Sequence, residues 1–265
     1  MKIMKGILLT VLFAAGLSFA GMAQRTENFR SPQYEFKTAM DLFNKEKYGS
    51  AQQYFKYVYE NTEDVQQDLK TNSFFYMGVC AAKLDNQDAA FLLQSFIDRY
   101  PVHSAVSEAR FYLGRYYFSR KQWKKAIAQF DEIMENEIQP ESATEFQFKK
   151  GYCYFMTGDY DKAKAMFKSA REETGPYQRR SIYYLAYMAY QDKQYEAALE
   201  DFLLLKDDPE YKDEVNNFLT QIYFKQGKYE EVLKNAPSVS NSKDVSQFHW
   251  TFAGKRPTGE NYQKK

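Results

Sequence analysis

The chain has 265 residues, 44% hydrophobic and 27% charged, a composition that folds rather than staying disordered. Its 36 Lys and Arg balance 35 Asp and Glu, which leaves no bulk attraction for nucleic acid or an anionic membrane surface, and two His and two Cys offer little for metal or nucleophile chemistry. Scarce Gly (12) and Pro (7) favour helices with short turns over a many-stranded fold, and the outlier is aromatic content: 23 Tyr, 22 Phe and 2 Trp.

Residues 1–23 read as a secretory signal. Lys2 and Lys5 precede an apolar run, Ile7–Ala20, and Gly21 and Ala23 place small residues three and one before a cut after Ala23. A charged start, a short apolar core and a small-residue cleavage site are the three parts of such a signal. The run is short for a bilayer span of about 20 apolar residues, so cleavage is expected rather than anchoring. The mature chain would begin at Gln24 in the periplasm or cell envelope. A short linker, residues 24–30, follows.

From Ser31 to Pro237 one pattern recurs six times, with repeats near 32–70, 71–106, 107–143, 144–178, 179–212 and 213–237. The third copy reads Leu113-Gly114, Tyr117, Trp123, Ala126, Phe130. The fourth reads Gly151, Tyr154, Gly158-Asp159-Tyr160, Ala163, Phe167, Ala170. The fifth has Leu185-Ala186, Tyr195, Ala198, Phe202 and Pro209, and the sixth Leu219, Tyr223, Gly227, Tyr229 and Val232. Two weaker copies precede them: Ala39, Tyr48, Ala51 and Phe55, then Gly78 and Ala90. The first implies extra residues around 61–69, as a longer second helix or a loop. The second has Gln87 where the others carry an aromatic, which predicts a looser turn.

Apolar residues recur at three and four within each unit, the helical period. The small residues at 114, 151 and 186 mark where the two helices of a hairpin approach, with Ala126, Ala163 and Ala198 opposite and Phe130, Phe167 and Phe202 filling the space toward the next repeat. Gly158 and Gly227 suit tight turns. Pro101, Pro140, Pro176, Pro209 and Pro237 are expected to end the second helices. After Ser238 the pattern degrades: Tyr262 lies 33 after Tyr229, but Lys255-Arg256-Pro257 interrupts the helix before it. Residues 238–265 therefore read as a partial or degraded seventh repeat, poorly ordered, in a shortened form of a longer array.

These spacings resemble the tetratricopeptide repeat (TPR), a 34-residue helix–turn–helix unit. The resemblance implies an all-α, right-handed superhelical α-solenoid of about six repeats, because one hairpin cannot bury both apolar faces and stacking makes one continuous core. The run Arg99-Tyr100-Pro101-Val102-His103-Ser104 leading to Leu113-Gly114 narrows it. It is similar to the bacterial exported subclass found in outer-membrane assembly and Tol-Pal accessory proteins.

No phosphate-cradling glycine loop or nucleophile elbow is present, and His103 and His249 are expected to be solvated. Cys80 and Cys153 fall in the second and fourth repeats, with a full repeat between them, and should be buried, unpaired thiols. No cofactor, metal, nucleic acid or enzymatic activity is expected, and a membrane would be met only indirectly through an envelope complex. In the family the first helix of each hairpin lines the inner curve. The resemblance therefore implies a concave, partner-binding groove of Phe111, Arg115, Phe118, Phe148, Tyr152, Phe155, Tyr183, Tyr187, Tyr190 and Phe224. Arg115, Arg180, Asn217, Gln221 and Lys225 stand beside these aromatics to hold backbone or carboxylate groups. The expectation is a scaffold that binds a peptide or protein segment. The alternative is glycan binding, since aromatic faces also stack on sugar rings.

Overall fold

The structure is a computed structural model, and it describes residues 31–235. The signal, the linker, Pro237, His249 and the 238–265 tail lie outside the described residues. Twelve α-helices follow one another as six hairpins: α1 (Pro32–Asn44) with α2 (Tyr48–Asn61), α3 (Gln67–Lys83) with α4 (Ala89–Arg99), and α5 (Val106–Ser119) with α6 (Trp123–Phe130). Then come α7 (Pro140–Thr157) with α8 (Tyr160–Glu172), α9 (Pro176–Gln191) with α10 (Tyr195–Leu203), and α11 (Lys212–Lys225) with α12 (Tyr229–Asn235). Each helix packs on its sequence neighbours, and the α-helix pairings that skip an element are α1 with α3, α3 with α5, α5 with α7 and α7 with α9. First helices thus approach first helices, which puts them on the inner side of the stack. The whole is an α-solenoid.

The hairpins close at the small residues. A Cβ on Gly114 would lie 2.3 Å from Phe130 Cε1, one on Gly151 2.9 Å from Met166 Cβ, and one on Gly78 2.9 Å from Leu93 Cδ2. Opposite them Ala51, Ala89, Ala126, Ala163 and Ala198 are fully buried. The aromatics of the second helices carry the stack onward. Phe130 meets Phe146 at 5.7 Å, Phe167 stacks on Tyr184 at 5.3 Å, and Phe202 stacks on Phe218 at 4.8 Å. Offset and edge-on contacts of this kind add to area burial.

All six hairpin turns pass through one left-handed residue, at Glu46, Asp85, Lys121, Gly158, Lys193 and Gly227. Only two of these are glycines. The turn after Asp85 is the looser one expected from Gln87: α4 begins at Ala89, two residues later in register than the aromatic that opens every other second helix. The extra residues of the first repeat form a 3-10 turn, Asp64–Gln66, between α2 and α3.

The prolines act differently from the sequence expectation. Pro140 and Pro176 do not end second helices; each is the first residue of the next hairpin, α7 and α9. There the missing N–H is one of the helix's unsatisfied donors anyway, and the fixed φ is already helical. Pro101 and Pro209 lie in turns after α4 and α10.

Gly114→Ala should cost about 1–3 kcal/mol, because the added methyl meets a fully buried ring that has no room to retreat. Gly158→Ala meets nothing within 4 Å, so its cost of about 1–2 kcal/mol is purely that of a left-handed alanine. Urea unfolding of the two variants checks both. Adding Phe130→Leu should recover part of the loss in Gly114→Ala and none in Gly158→Ala.

Candidate functional site: the inner face

The ten groove residues expected from the sequence divide sharply. Phe111, Phe148, Tyr152, Phe155 and Tyr183 are buried, and the structure places them in the core between repeats rather than on an open wall. The residue three before each small residue faces the neighbouring hairpin, and Phe75, Phe111, Phe148, Tyr183 and Asn217 are all buried there. Tyr152, at 5% exposure, is packed among Phe118, Trp123, Phe148, Phe155 and Tyr184. Arg115, Phe118, Tyr187 and Tyr190 stay half-buried. Phe224 is 63% exposed on the last described hairpin.

What the first helices do present is a strip of ions laid on rings. Lys83, the last residue of α3, points over Tyr48 at 5.5 Å and Tyr112 at 5.7 Å. Arg115 lies over the same Tyr112 ring and over Phe111, each at 5.6 Å. The Arg115 Nε reaches Glu145 Oε1 at 2.9 Å, and Lys149 Nζ stands 3.6 Å from that oxygen. Lys149 also sits 4.3 Å above the Phe118 ring. The strip crosses from the C-terminal end of α3 through the middle of α5 to the middle of α7. Arg115 was expected to read a partner's carboxylate or carbonyl; here Glu145 already occupies its Nε. Lys83, Tyr112 and Lys149 were not singled out from the sequence, and Tyr48 was read only as a marker of the first repeat. Burial lowers the pKa of Lys83 and the Arg115 charge lowers it further, against the pull of Glu145 and Glu46. Burial also lowers that of Lys149, against the pull of Glu145.

Further along, polar contacts join one hairpin to the next. Tyr183 Oη donates to Glu214 Oε1 at 2.5 Å inside the core, and Tyr190 Oη donates to Gln221 Oε1 at 2.7 Å. Arg180 faces Glu210 at 3.8 Å and Lys225 lies 5.9 Å from the Tyr195 ring centre. Asn217 is buried. Burial raises the Glu214 carboxyl above its ordinary value, although the Tyr183 hydrogen bond opposes the shift.

Among the described residues no group of three or more His, Cys, Asp or Glu is placed to hold a metal, and no helix is long and apolar enough to cross a membrane. Cys80 and Cys153 are buried and unpaired, with burial pushing both thiols up to about 12. His103 is not simply solvated. Its Nδ1 accepts from the Ala105 N–H at 3.1 Å, and its ring meets Phe96 edge-on at 5.5 Å, so it braces the turn that carries Pro101.

Tyr152→Ala should lower stability by about 3–5 kcal/mol, the range for large buried aromatics, measured as a shift of the urea midpoint. The Glu214 carboxyl gives a pH signature. A carboxyl whose folded pKa lies above its unfolded one favours the fold most below the ordinary value of 4.5, and that contribution is lost as pH rises through the folded pKa. Glu214→Gln keeps an oxygen for Tyr183 and should therefore gain stability relative to the parent as pH is raised from about 4 to 8. Thermal melts across that range measure the difference.

The tetratricopeptide repeat profile matches residues 81–143 and 148–212. No curated protein matches the chain significantly. Among solved structures, the C-terminal part of a TPR repeat-containing protein from Cytophaga hutchinsonii aligns at 16% identity and a TM-score of 0.59, covering 98% of each chain. PilF of Pseudomonas aeruginosa aligns at 10% identity and 0.58, covering 84% of this chain and 97% of that one. The type IV pilus biogenesis factor PilW aligns at 14% and 0.53, over 83% and 99%. Residues 81–143 and 148–212 carry tetratricopeptide repeats, and the chain has the fold of a TPR α-solenoid.

Proposed function

We propose that this chain is a non-catalytic interaction scaffold of the bacterial cell envelope, exported by the signal in residues 1–23, and that it holds a peptide or protein segment along its inner face. Tetratricopeptide repeats generally mediate protein–protein contacts, which supports the class of function. One structural neighbour is a type IV pilus biogenesis factor. The observation that carries the reading is the strip of ions and rings from exposed Lys83 to half-buried Lys149, with Tyr187 and Tyr190 half-buried on the first helix of the following hairpin. Rigid helices hold polar and aromatic groups there in fixed positions, so a partner segment meets a preorganised surface.

The glycan alternative is less favoured by the ring geometry. Phe118 meets Trp123 edge-on at 72°, and Tyr187 meets Phe218 at 74°. In each such pair one ring's face is taken by its neighbour's edge, and Lys149 lies 4.3 Å over the Phe118 ring, so the rings do not form one open plane for a sugar. Immobilised protein offered a detergent extract of its native envelope should retain a protein partner. Tyr190→Ala and Phe118→Ala should lose that partner while melting as cooperative folds, because truncating an interface aromatic typically costs about 2 kcal/mol of binding or more. Retention by both folded variants would move binding off the inner face. Elution by oligosaccharide alone would favour the glycan reading.

A further inference from the structure

The inner strip is not evenly charged. Three cations, Lys83, Arg115 and Lys149, lie along it, and among the described residues the one carboxylate within 4 Å of any of them is Glu145, which Arg115 and Lys149 share. Two like charges, Lys83 and Arg115, are held on one Tyr112 ring at 5.7 and 5.6 Å. Rings attract cations, but they do not cancel the repulsion between two of them. Glu46 and Glu108 are the other acids around this strip. Glu46 is exposed in the α1–α2 turn, and Glu108 lies one turn back from Tyr112 on α5; neither makes an ion pair with these cations. Lys149 is half-buried and has lost part of its water, so it gains more from an added anion than a free surface lysine would, while Lys83 is exposed and open to a partner.

We propose that the inner strip between α3 and α7 docks an acidic segment of a partner protein, with its carboxylates entering between Lys83 and Arg115 over Tyr112. This rests on the inner-face reading above and adds the partner's chemistry. A carboxylate there gives Lys83 a partner at contact distance, where Glu145 and Glu46 act on it only from further away, and relieves the repulsion across Tyr112, without displacing Glu145. Tyr48, Tyr112 and Phe118 offer apolar contact for side chains between the acids. An alternation of acidic and bulky apolar residues therefore suits the strip, and association should weaken with salt.

The test uses the mature protein and three fluorescein-labelled probes, peptides of repeating Glu-Phe-Glu-Ala, Gln-Phe-Gln-Ala and Lys-Phe-Lys-Ala, read by anisotropy. The Glu peptide should bind at least about tenfold more tightly than the Gln peptide, a gap of about 1.4 kcal/mol, and the Lys peptide weakest. The advantage should shrink as salt is raised. Lys83 makes no ion pair within 4 Å, so Lys83→Gln should fold normally and lose most of the Glu-peptide advantage, while Lys83→Arg should restore it. Equal binding of the Glu and Gln peptides, failure of the Glu peptide to bind, or indifference to Lys83→Gln overturns the proposal. If the Glu peptide loses its advantage but the envelope partner still depends on Phe118 and Tyr190, the acidic-segment inference falls and the inner-face reading stands.

Discussion

Everything in this molecule depends on how closely two helices can approach at one point in each hairpin. Where Gly114 faces Phe130 and Gly151 faces Phe167, the absence of a side chain lets a whole ring lie against backbone. That ring then reaches past its own hairpin to the next: Phe130 to Phe146, Phe167 to Tyr184. A small residue in one helix thus sets the spacing within a repeat, and through the ring opposite it sets the spacing between repeats. Dense packing makes such a contact intolerant of even one methyl group. The inner face inherits its geometry from these points, since the first helices carry both the small residues and the ionic strip.

Sequence reasoning reached this framework because its signals are local and repeated. The spacing from Gly114 to Ala126 and Phe130, seen again from Gly151 to Ala163 and Phe167, requires no knowledge of the tertiary structure. The turns were only partly legible. Gly158 and Gly227 advertise a left-handed residue and Asp85 does so more weakly, but Glu46, Lys121 and Lys193 hold the same conformation with side chains that give no such signal. Packing on both sides of the turn overrides the local preference there. The prolines were legible as breaks, yet the direction of the break was not. Pro140 and Pro176 punctuate the chain by opening a helix, and nothing in their own identity distinguishes that from closing one.

The candidate site was the least legible part, for a geometric reason. A residue's register says which side of a helix it occupies, but not how much of that side the next hairpin covers. Phe111, Phe148 and Tyr183 sit on the expected side and are covered. Lys83 and Lys149 read as ordinary solvated lysines in a balanced chain. Only the fold brings them over Tyr112 and Phe118 and beside Arg115. An aromatic surplus was correctly sensed as unusual, but most of it is spent inside the stack, where rings join successive repeats. The polar groups at the edge of that aromatic interior are the more informative ones for recognition.

The chain of contacts from hairpin to hairpin also has a mechanical meaning. Tyr183 holds Glu214 in the next hairpin, Arg171 holds Asp201, and Lys164 reaches Asp192, but each tie spans one junction at most. Load applied at the two ends is therefore carried in series, and the weakest junction bears the same tension as the strongest. Such an array stretches by releasing single hairpins in turn, each free to snap back while its neighbours hold. A protein built this way behaves as a tether with a graded yield point, rather than as a block that keeps or loses its shape at once.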